Sequence, residues 1–368
     1  MQVKPSDRLI HRAGMARAPI SGTFELSPMC NFSCRICYVR RTASEVAALG
    51  GLQPASRWLS WAREAREAGM LWLLLTGGEP FLYPDFLSLY EELASMGFLI
   101  SINSNGALID ERAVRVLKRA VPKRINITLY GASEESYARL CGDPSGFQRV
   151  MENICRLREN GIPYKFNCSL GRENCHELPQ MIAIAQEHHV PIDVASYMFP
   201  PSRRGVKSPT EDFRLSAEQA GFYAAEAMRL QLPKDELRIY AERMQNVETP
   251  PETMGETREM ACRAGRCSFW VNWQGELSAC GMLDQPTVSL LQTPFSEAWA
   301  QIVAETNQTR CLAGCGGCPN YELCHPCIAA AYCETGDVNA RPEYKCKMLL
   351  AEAAACKKLL KELQCGGH

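Results

Sequence analysis

The chain has 368 residues, 46% of them hydrophobic, with 40 basic side chains against 41 acidic and a formal net charge of -1. That length can bury a large core and suggests one large domain with a smaller one, while the balanced charge offers no basic face and argues against a nucleic-acid partner. The 19 cysteines do not fit a secreted disulfide scaffold, because such scaffolds are short and residues 1–20 are polar and basic rather than an apolar export signal.

From Gly22 to about Met198, strand and helix signals alternate. Phe24-Glu-Leu is the first strand, and Pro54 to Gly69 reads as a helix carrying Trp58, Leu59 and Trp61. Met70 to Leu75 is an apolar run ending at Thr76-Gly77-Gly78, which fits a strand buried on both faces. It is the longest such run and far too short to span a bilayer, so no membrane association is expected. Pro84-Asp85 opens a helix closed by Gly97; Phe98 to Ile102 is a strand, and Ala113 to Ala120 a helix. Arg124 to Tyr130 is a strand, Phe147 to Asn160 a helix, Tyr164 to Leu170 a strand, Leu178 to His188 a helix, and Ile192 to Met198 the last strand. Six units of this kind predict a parallel sheet with helices outside, short of a closed eight-fold barrel. The expected fold class is therefore α/β, a partial (β/α)6 TIM-like barrel whose active site lies at the C-terminal strand ends.

Residues 206–260 become helical and charged, with Pro209 and Pro250-Pro251 as breakers. A cysteine-dense stretch follows from Cys262 to Cys346, with so little apolar sequence that metal is expected to supply its folding energy. Leu349 to Leu363 reads as an amphipathic helix. The expected organisation is an extension over 1–20, a barrel over 21–205, a helical linker over 206–260, an iron–sulfur domain over 261–348, and a helix and tail over 349–368.

Chemistry is carried first by Cys30-Asn-Phe-Ser-Cys34-Arg-Ile-Cys37-Tyr38, directly after the first strand. Three thiolates this close can hold three irons of a 4Fe–4S cube, leaving the fourth iron for a small molecule. A structural zinc loop is the plain alternative for these cysteines, and zinc also competes for the Cys-x2-Cys pairs downstream. Cys141, Cys155, Cys168 and Cys175 read as small core or surface residues, and Cys356 and Cys365 as unliganded. His188-His189 looks like a helix C-terminus, and Arg203-Arg204 either holds a carboxylate or is solvated linker.

The Cys30-x3-Cys34-x2-Cys37 run, followed one strand later by Gly77-Gly78-Glu79-Pro80, resembles radical S-adenosylmethionine (SAM) enzymes. The downstream cysteines resemble the SPASM extension of radical SAM enzymes that modify peptides and proteins. The resemblance implies SAM chelated to the open iron of the Cys30, Cys34 and Cys37 cluster, and reductive cleavage to a 5′-deoxyadenosyl radical. It implies SAM contacts from Gly77, Gly78, Glu79 and Pro80, whose glycines would let backbone approach the ligand. Ile36 and Tyr38 would lie near the adenine, Ser104 and Asn105 near the ribose or sulfonium, and Thr128 and Asn174 at further strand-end polar positions. By position, one auxiliary 4Fe–4S cluster would take Cys262, Cys267, Cys280 and Cys327, and another Cys315, Cys318, Cys324 and Cys346. The gap from Cys324 to Cys327 is one residue shorter than the family's, Cys311 and Cys333 are extra, and Cys267 is tolerable as a non-ligand. Without it, the first auxiliary cluster would keep an open iron for a substrate thiolate.

The resulting expectation is a cytoplasmic radical SAM oxidoreductase acting on a ribosomally made peptide, forming a thioether or C–C cross-link. Flavodoxin or ferredoxin would supply electrons. With 29 residues before Cys30, any leader-binding module is expected to be a separate protein. The alternatives are formylglycine formation of the sulfatase-maturase kind, a small-molecule or cofactor-biosynthesis dehydrogenase, and a multi-cluster electron carrier. The first is weakened because Gly281-Met-Leu follows Cys280 and Asp284 comes later.

Overall fold

The computed structural model describes residues 4–200, 202, 203, 206, 207, 213–252, 255–260 and 262–365. Six parallel strands form the barrel: β1 (Ser21–Glu25), β2 (Trp72–Thr76), β3 (Leu99–Ser104), β4 (Arg124–Thr128), β5 (Tyr164–Ser169) and β6 (Ile192–Ala195). They pair in chain order, with α3 (Ala55–Glu67), α4 (Phe86–Ser95), α5 (Glu111–Arg119), α7 (Gly146–Glu159) and α8 (Leu178–Glu187) in the connections. Short runs with period-two burial dictate this. In β1 and β2, Phe24, Leu73 and Leu75 are buried and face the helical layer, where Phe24 meets Trp58 of α3 with ring centroids 5.1 Å apart. Trp58 is fully buried, so Trp58→Ala is expected to cost about 3–5 kcal/mol, read as a lower urea midpoint.

Ahead of the cysteine-rich stretch, three helices escape the sequence pattern: α1 (Pro5–Ala16), α2 (Ala43–Ala48) and α6 (Glu134–Cys141). The last is signalled at both ends, since Ser133 caps it through the Ser136 N–H and Gly142 closes it in the left-handed conformation.

The cysteine-rich segment does not stand on metal alone. Its strands β7 (Ser268–Val271), β8 (Glu276–Ser278) and β9 (Thr287–Ser289) extend the barrel sheet to nine strands, in the order β9-β8-β7-β1-β2-β3-β4-β5-β6. β7 runs parallel to β1, with Thr23 opposite Trp270. Phe269, Val271, Leu277, and Phe295, Trp299 and Ile302 of α11 (Phe295–Gln308) join the same hydrophobic core as the barrel. The expectation of a segment without its own apolar core missed this, because the core is borrowed from β1 and α3.

The linker contains α9 (Ala217–Gln231) and α10 (Lys234–Met244), and both pack on the C-terminal helix α14 (Glu343–Cys365). That helix starts before the predicted Leu349, so Cys346 sits in its first turn. Between them lie α12 (Tyr321–Cys324) and α13 (Ile328–Thr335). Among the described residues no helix is long and apolar enough to cross a membrane. Arg204 and residues 366–368 lie outside the described residues, as do the side chains of Arg203 and Cys365.

Candidate active site at the C-terminal rim

The cysteine loop is built by docking two strand ends together. Leu26 N–H donates to the Thr76 carbonyl at 2.9 Å, Gly78 N–H to Ser27 O at 2.7 Å, and Glu79 N–H to Met29 O at 2.9 Å. A β-carbon on Gly77 would lie 2.3 Å from Ser27 O, and one on Gly78 2.3 Å from Met29 O. The glycines are thus required by the approach of one loop to the other, a reason different from the expected approach to a ligand. Helix α6 supports the far side: Ser33 N–H donates to Cys141 O and Arg35 N–H to Leu140 O, both at 2.9 Å.

Cys30, Cys34 and Cys37 lie in this loop, partly buried. Cys30 Sγ receives N–H groups from Phe32 at 3.4 Å and from Asn105 Nδ2 at 3.5 Å; Cys37 Sγ receives Arg40 N–H at 3.3 Å. Such donors stabilise thiolate and tune cluster potentials. Burial pushes the Cys30 thiol up to about 12 and raises that of Cys37, whereas a hydrogen bond with the Cys141 thiol holds Cys34 low. Iron must displace the remaining protons, which the soft thiolate set favours. Three sulfurs in one loop, with N–H donors on Cys30 and Cys37, fit a cube with one iron left for SAM.

Glu79 links the loop to β3. Its carboxylate is fully buried and accepts Asn105 N–H at 2.8 Å, Ser104 Oγ–H at 2.9 Å and Phe81 N–H at 3.2 Å. Burial pushes this carboxyl up to about 7, against those three donors. Asn105 then reaches back, donating to Asn31 Oδ1 at 2.8 Å as well as to Cys30. Ser104 and Asn105, read from sequence as ligand contacts, therefore also form the bracket between Glu79 and the cluster loop.

Ile36 and Tyr38 are half-buried in the loop, and Pro80 opens a short helical turn behind Glu79. Thr128 ends β4 half-buried. Asn174 is fully engaged as a clip: it accepts Gly171 N–H at 2.8 Å and donates to Tyr130 O at 2.9 Å and Ser169 O at 3.1 Å. It fastens β4's end to β5's, which differs from the expected ligand contact. His188 bonds Tyr164 Oη at 2.9 Å and serves the core.

The strand register places Thr76, Asn103, Asn126 and Lys165 in one row on the inner face, with Thr128, Asn167 and Asp193 above them. Asn126 donates to Asn103 at 2.7 Å and accepts Arg124 Nε–H at 3.1 Å, while Lys165 pairs with Asp193. Glu25 accepts Trp270 Nε1–H at 2.9 Å. Asn167 Oδ1 is enclosed and has no hydrogen-bond partner. Sequence alternation hints at this polar face, but only the register assembles it.

The downstream cysteines separate into two groups. Cys315, Cys318, Cys324 and Cys346 line one pocket. Burial pushes Cys315 up to about 11 and Cys346 up to about 12. Cys262, Cys311 and Cys327 line another cavity of about 290 Å³, and Cys280 and Cys327 lie close enough to act electrostatically on the Cys262 thiol. Cys267 does not join them. It precedes β7 on the face of Phe269, buried against Ala13 and Ile20, and its sulfur lies 3.9 Å from where a β-carbon on Gly14 would sit. The alternation of β7 and β8 places Cys280 on the opposite face, that of Trp270 and Ser278. Among the described residues no three Cys, His, Asp or Glu side chains converge on a single-ion position. A cube is gripped from further apart, one thiolate to each iron.

Residues 24–184 match the radical SAM superfamily. The chain carries a radical SAM domain. The AdoMet-dependent heme synthase of Methanosarcina barkeri is 26% identical over 351 residues, covering 88% of this chain and 95% of that protein. Streptococcus suis SuiB shares the fold, with a TM-score of 0.66 at 16% identity over 92% of this chain and 81% of that one. So does anSMEcpe, solved with bound AdoMet, with a TM-score of 0.67 at 15% identity over 95% and 96%. The alignment with these two runs through the cysteine-rich part, so this chain shares their fold over nearly its whole length.

Proposed function

We propose that this radical SAM enzyme removes a hydrogen atom from a ribosomally made peptide held in the barrel lumen, leading to a thioether or C–C cross-link. Bound at the rim, a 4Fe–4S cluster and SAM supply a 5′-deoxyadenosyl radical strong enough for unactivated C–H bonds. Cys30, Cys34 and Cys37 would hold the cluster, and Asn105 would fix Cys30 by its 3.5 Å contact. Carbonyls of the Gly77–Pro80 loop would take the SAM amino group, because the Gly78 and Glu79 N–H groups are already spent on Ser27 and Met29. The observation that carries the substrate class is the amide-lined lumen, with Asn103 and Asn126 bonded together and Asn167 in the next row of the same face. Amides of this kind match peptide N–H and C=O groups. Solved structures sharing this fold include SuiB bound to the precursor peptide SuiA and anSMEcpe bound to AdoMet and a peptide, which supports the same class. The two auxiliary clusters, an external flavodoxin or ferredoxin, a separate leader-binding protein and a cytoplasmic setting complete the proposal.

A second reading follows from the near full-length match to heme synthase: a haem precursor as substrate. The two separate cleanly. Anaerobic, reduced protein with SAM is offered either a cysteine-containing peptide or a haem precursor. The proposal expects the peptide to raise 5′-deoxyadenosine and to emerge lighter by two hydrogen atoms. Stimulation by the haem precursor, with an unchanged peptide, would favour the second reading.

A further inference from the structure

We infer that the first auxiliary cluster is closed by Cys333, so that its ligands are Cys262, Cys280, Cys327 and Cys333, and that Cys267 is a core residue. The inference rests on the proposal that this segment holds iron–sulfur cubes, and it changes what the first cube can do.

Cys267 fails on direction. Its sulfur points into the apolar contact between α1 and the start of β7, among Ala13, Ile20, Leu71 and Trp72. Its charged neighbours are Arg263, Arg266 and Arg17, with no cysteine among them. Its carbonyl accepts Ser21 N–H at 3.1 Å, which fastens it to the start of β1. To reach Cys280 the side chain would have to cross to the other face of a sheet whose register is set by four β1–β7 pairs.

Cys333 succeeds on the same tests. Helix α13 begins directly after Cys327, which is its N-cap, and carries Cys333 on a later turn. The Cys333 thiol donates to Met282 O at 3.6 Å, and the N–H of the same Met282 donates to Cys280 Sγ at 3.5 Å. One residue therefore bridges the two sulfurs. The neighbouring Tyr332 Oη–H donates to Asp284 at 3.3 Å, holding α13 against the loop that follows Cys280. Cys280 and Cys327 both lie close enough to act electrostatically on the Cys333 thiol. Cys311, the other extra cysteine, is fully buried on a short ladder with Arg258–Glu259, and its thiol is turned to Arg258 O at 3.5 Å. Of the first group only Cys262 lies close enough to act electrostatically on its thiol.

Four thiolates saturate a cube. A first auxiliary cluster closed by Cys333 has no iron for a substrate sulfur, so a thioether would form without substrate coordination there. The extra cysteine and the shortened Cys324–Cys327 spacing then belong together: α13 is set one residue closer, and a ligand further along it replaces the one lost at Cys267.

The test compares Cys267→Ser and Cys333→Ser in anaerobically reconstituted protein, each with its alanine counterpart. Iron and sulfide are counted, and the reduced clusters are followed by EPR. Cys267→Ser and Cys267→Ala should keep about twelve irons, as three cubes require, with unchanged spectra. Cys333→Ala should fall to about eight, and Cys333→Ser should shift one of three EPR signals while the SAM-binding cluster still yields 5′-deoxyadenosine, which shows that the protein has folded. Loss of about four irons on replacing Cys267, with Cys333 variants intact, would overturn the inference. About four irons in the unaltered protein would overturn instead the auxiliary clusters on which it rests.

Discussion

Gly78→Ala protein is expected to form at least about a hundredfold less 5′-deoxyadenosine from SAM than the unaltered protein, and to lose most of the iron of the Cys30–Cys37 loop. The reason is steric and local. The added carbon would meet Met29 O at 2.3 Å, Met29 C at 2.7 Å and Pro28 O at 2.8 Å, all of them backbone. No flexible side chain can give way, so the Gly77–Pro80 loop must lift from the cysteine loop. Misplacement by about 1 Å at such a centre can cost about a hundredfold in rate. The barrel should survive, because Phe24, Trp58, Leu73 and Leu75 pack on the other side of the sheet. Iron content, product assay and a near-native urea midpoint together separate this outcome from misfolding.

Glu79→Gln is the second large effect. Three donors converge on one carboxylate, from Ser104, Asn105 and Phe81. A glutamine supplies one oxygen and an NH2 group, so at least one buried donor faces another donor. An unsatisfied buried group costs about 1–3 kcal/mol, and here it loosens the residue that contacts Cys30. SAM affinity is expected to fall about tenfold or more, measured by equilibrium binding to the anaerobic protein. The pH dependence has a definite sign. Burial pushes the Glu79 carboxyl up to about 7, so its acceptor form dominates above that pH and is lost as pH falls through it. SAM affinity of the unaltered protein should therefore decline from pH 8 to pH 6, with a flatter profile in Glu79→Gln. Folding stability carries the opposite sign from this group, since a carboxyl raised in the folded state stabilises most below its unfolded pKa and least above 7. Opposed trends in affinity and stability distinguish a titrating bracket from general acid unfolding.

Much of this architecture was readable before any coordinates. Apolar runs such as Trp72–Leu75, closed by glycine, specify strands, and their alternation with helices specifies a parallel barrel. That logic alone places the three-cysteine loop and Gly77-Gly78-Glu79-Pro80 on one rim, whereas the Cys315, Cys318, Cys324 and Cys346 grouping rests on the family resemblance. What escaped depends on side-chain direction and register. Cys267 and Cys280 look equivalent as spaced letters, but strand alternation turns them to opposite faces. Asn174 looks like a strand-end ligand, yet all its hydrogen bonds go to backbone groups of β4, β5 and the loop after it. Cys141 looked like an ordinary core thiol, and only the packing of α6 under the loop sets it beside Cys34. The nine-stranded sheet was illegible because β7 pairs with β1 across more than two hundred residues, which no local pattern encodes.

The central claim is that Cys30, Cys34 and Cys37 hold a cluster that cleaves SAM. The most direct measurement mixes anaerobically reconstituted, reduced protein with SAM and quantifies 5′-deoxyadenosine and methionine, for the unaltered chain and for Cys34→Ala. Equal amounts of both products from the first and none from the second are predicted. No 5′-deoxyadenosine from the unaltered protein, or as much from Cys34→Ala, would contradict it.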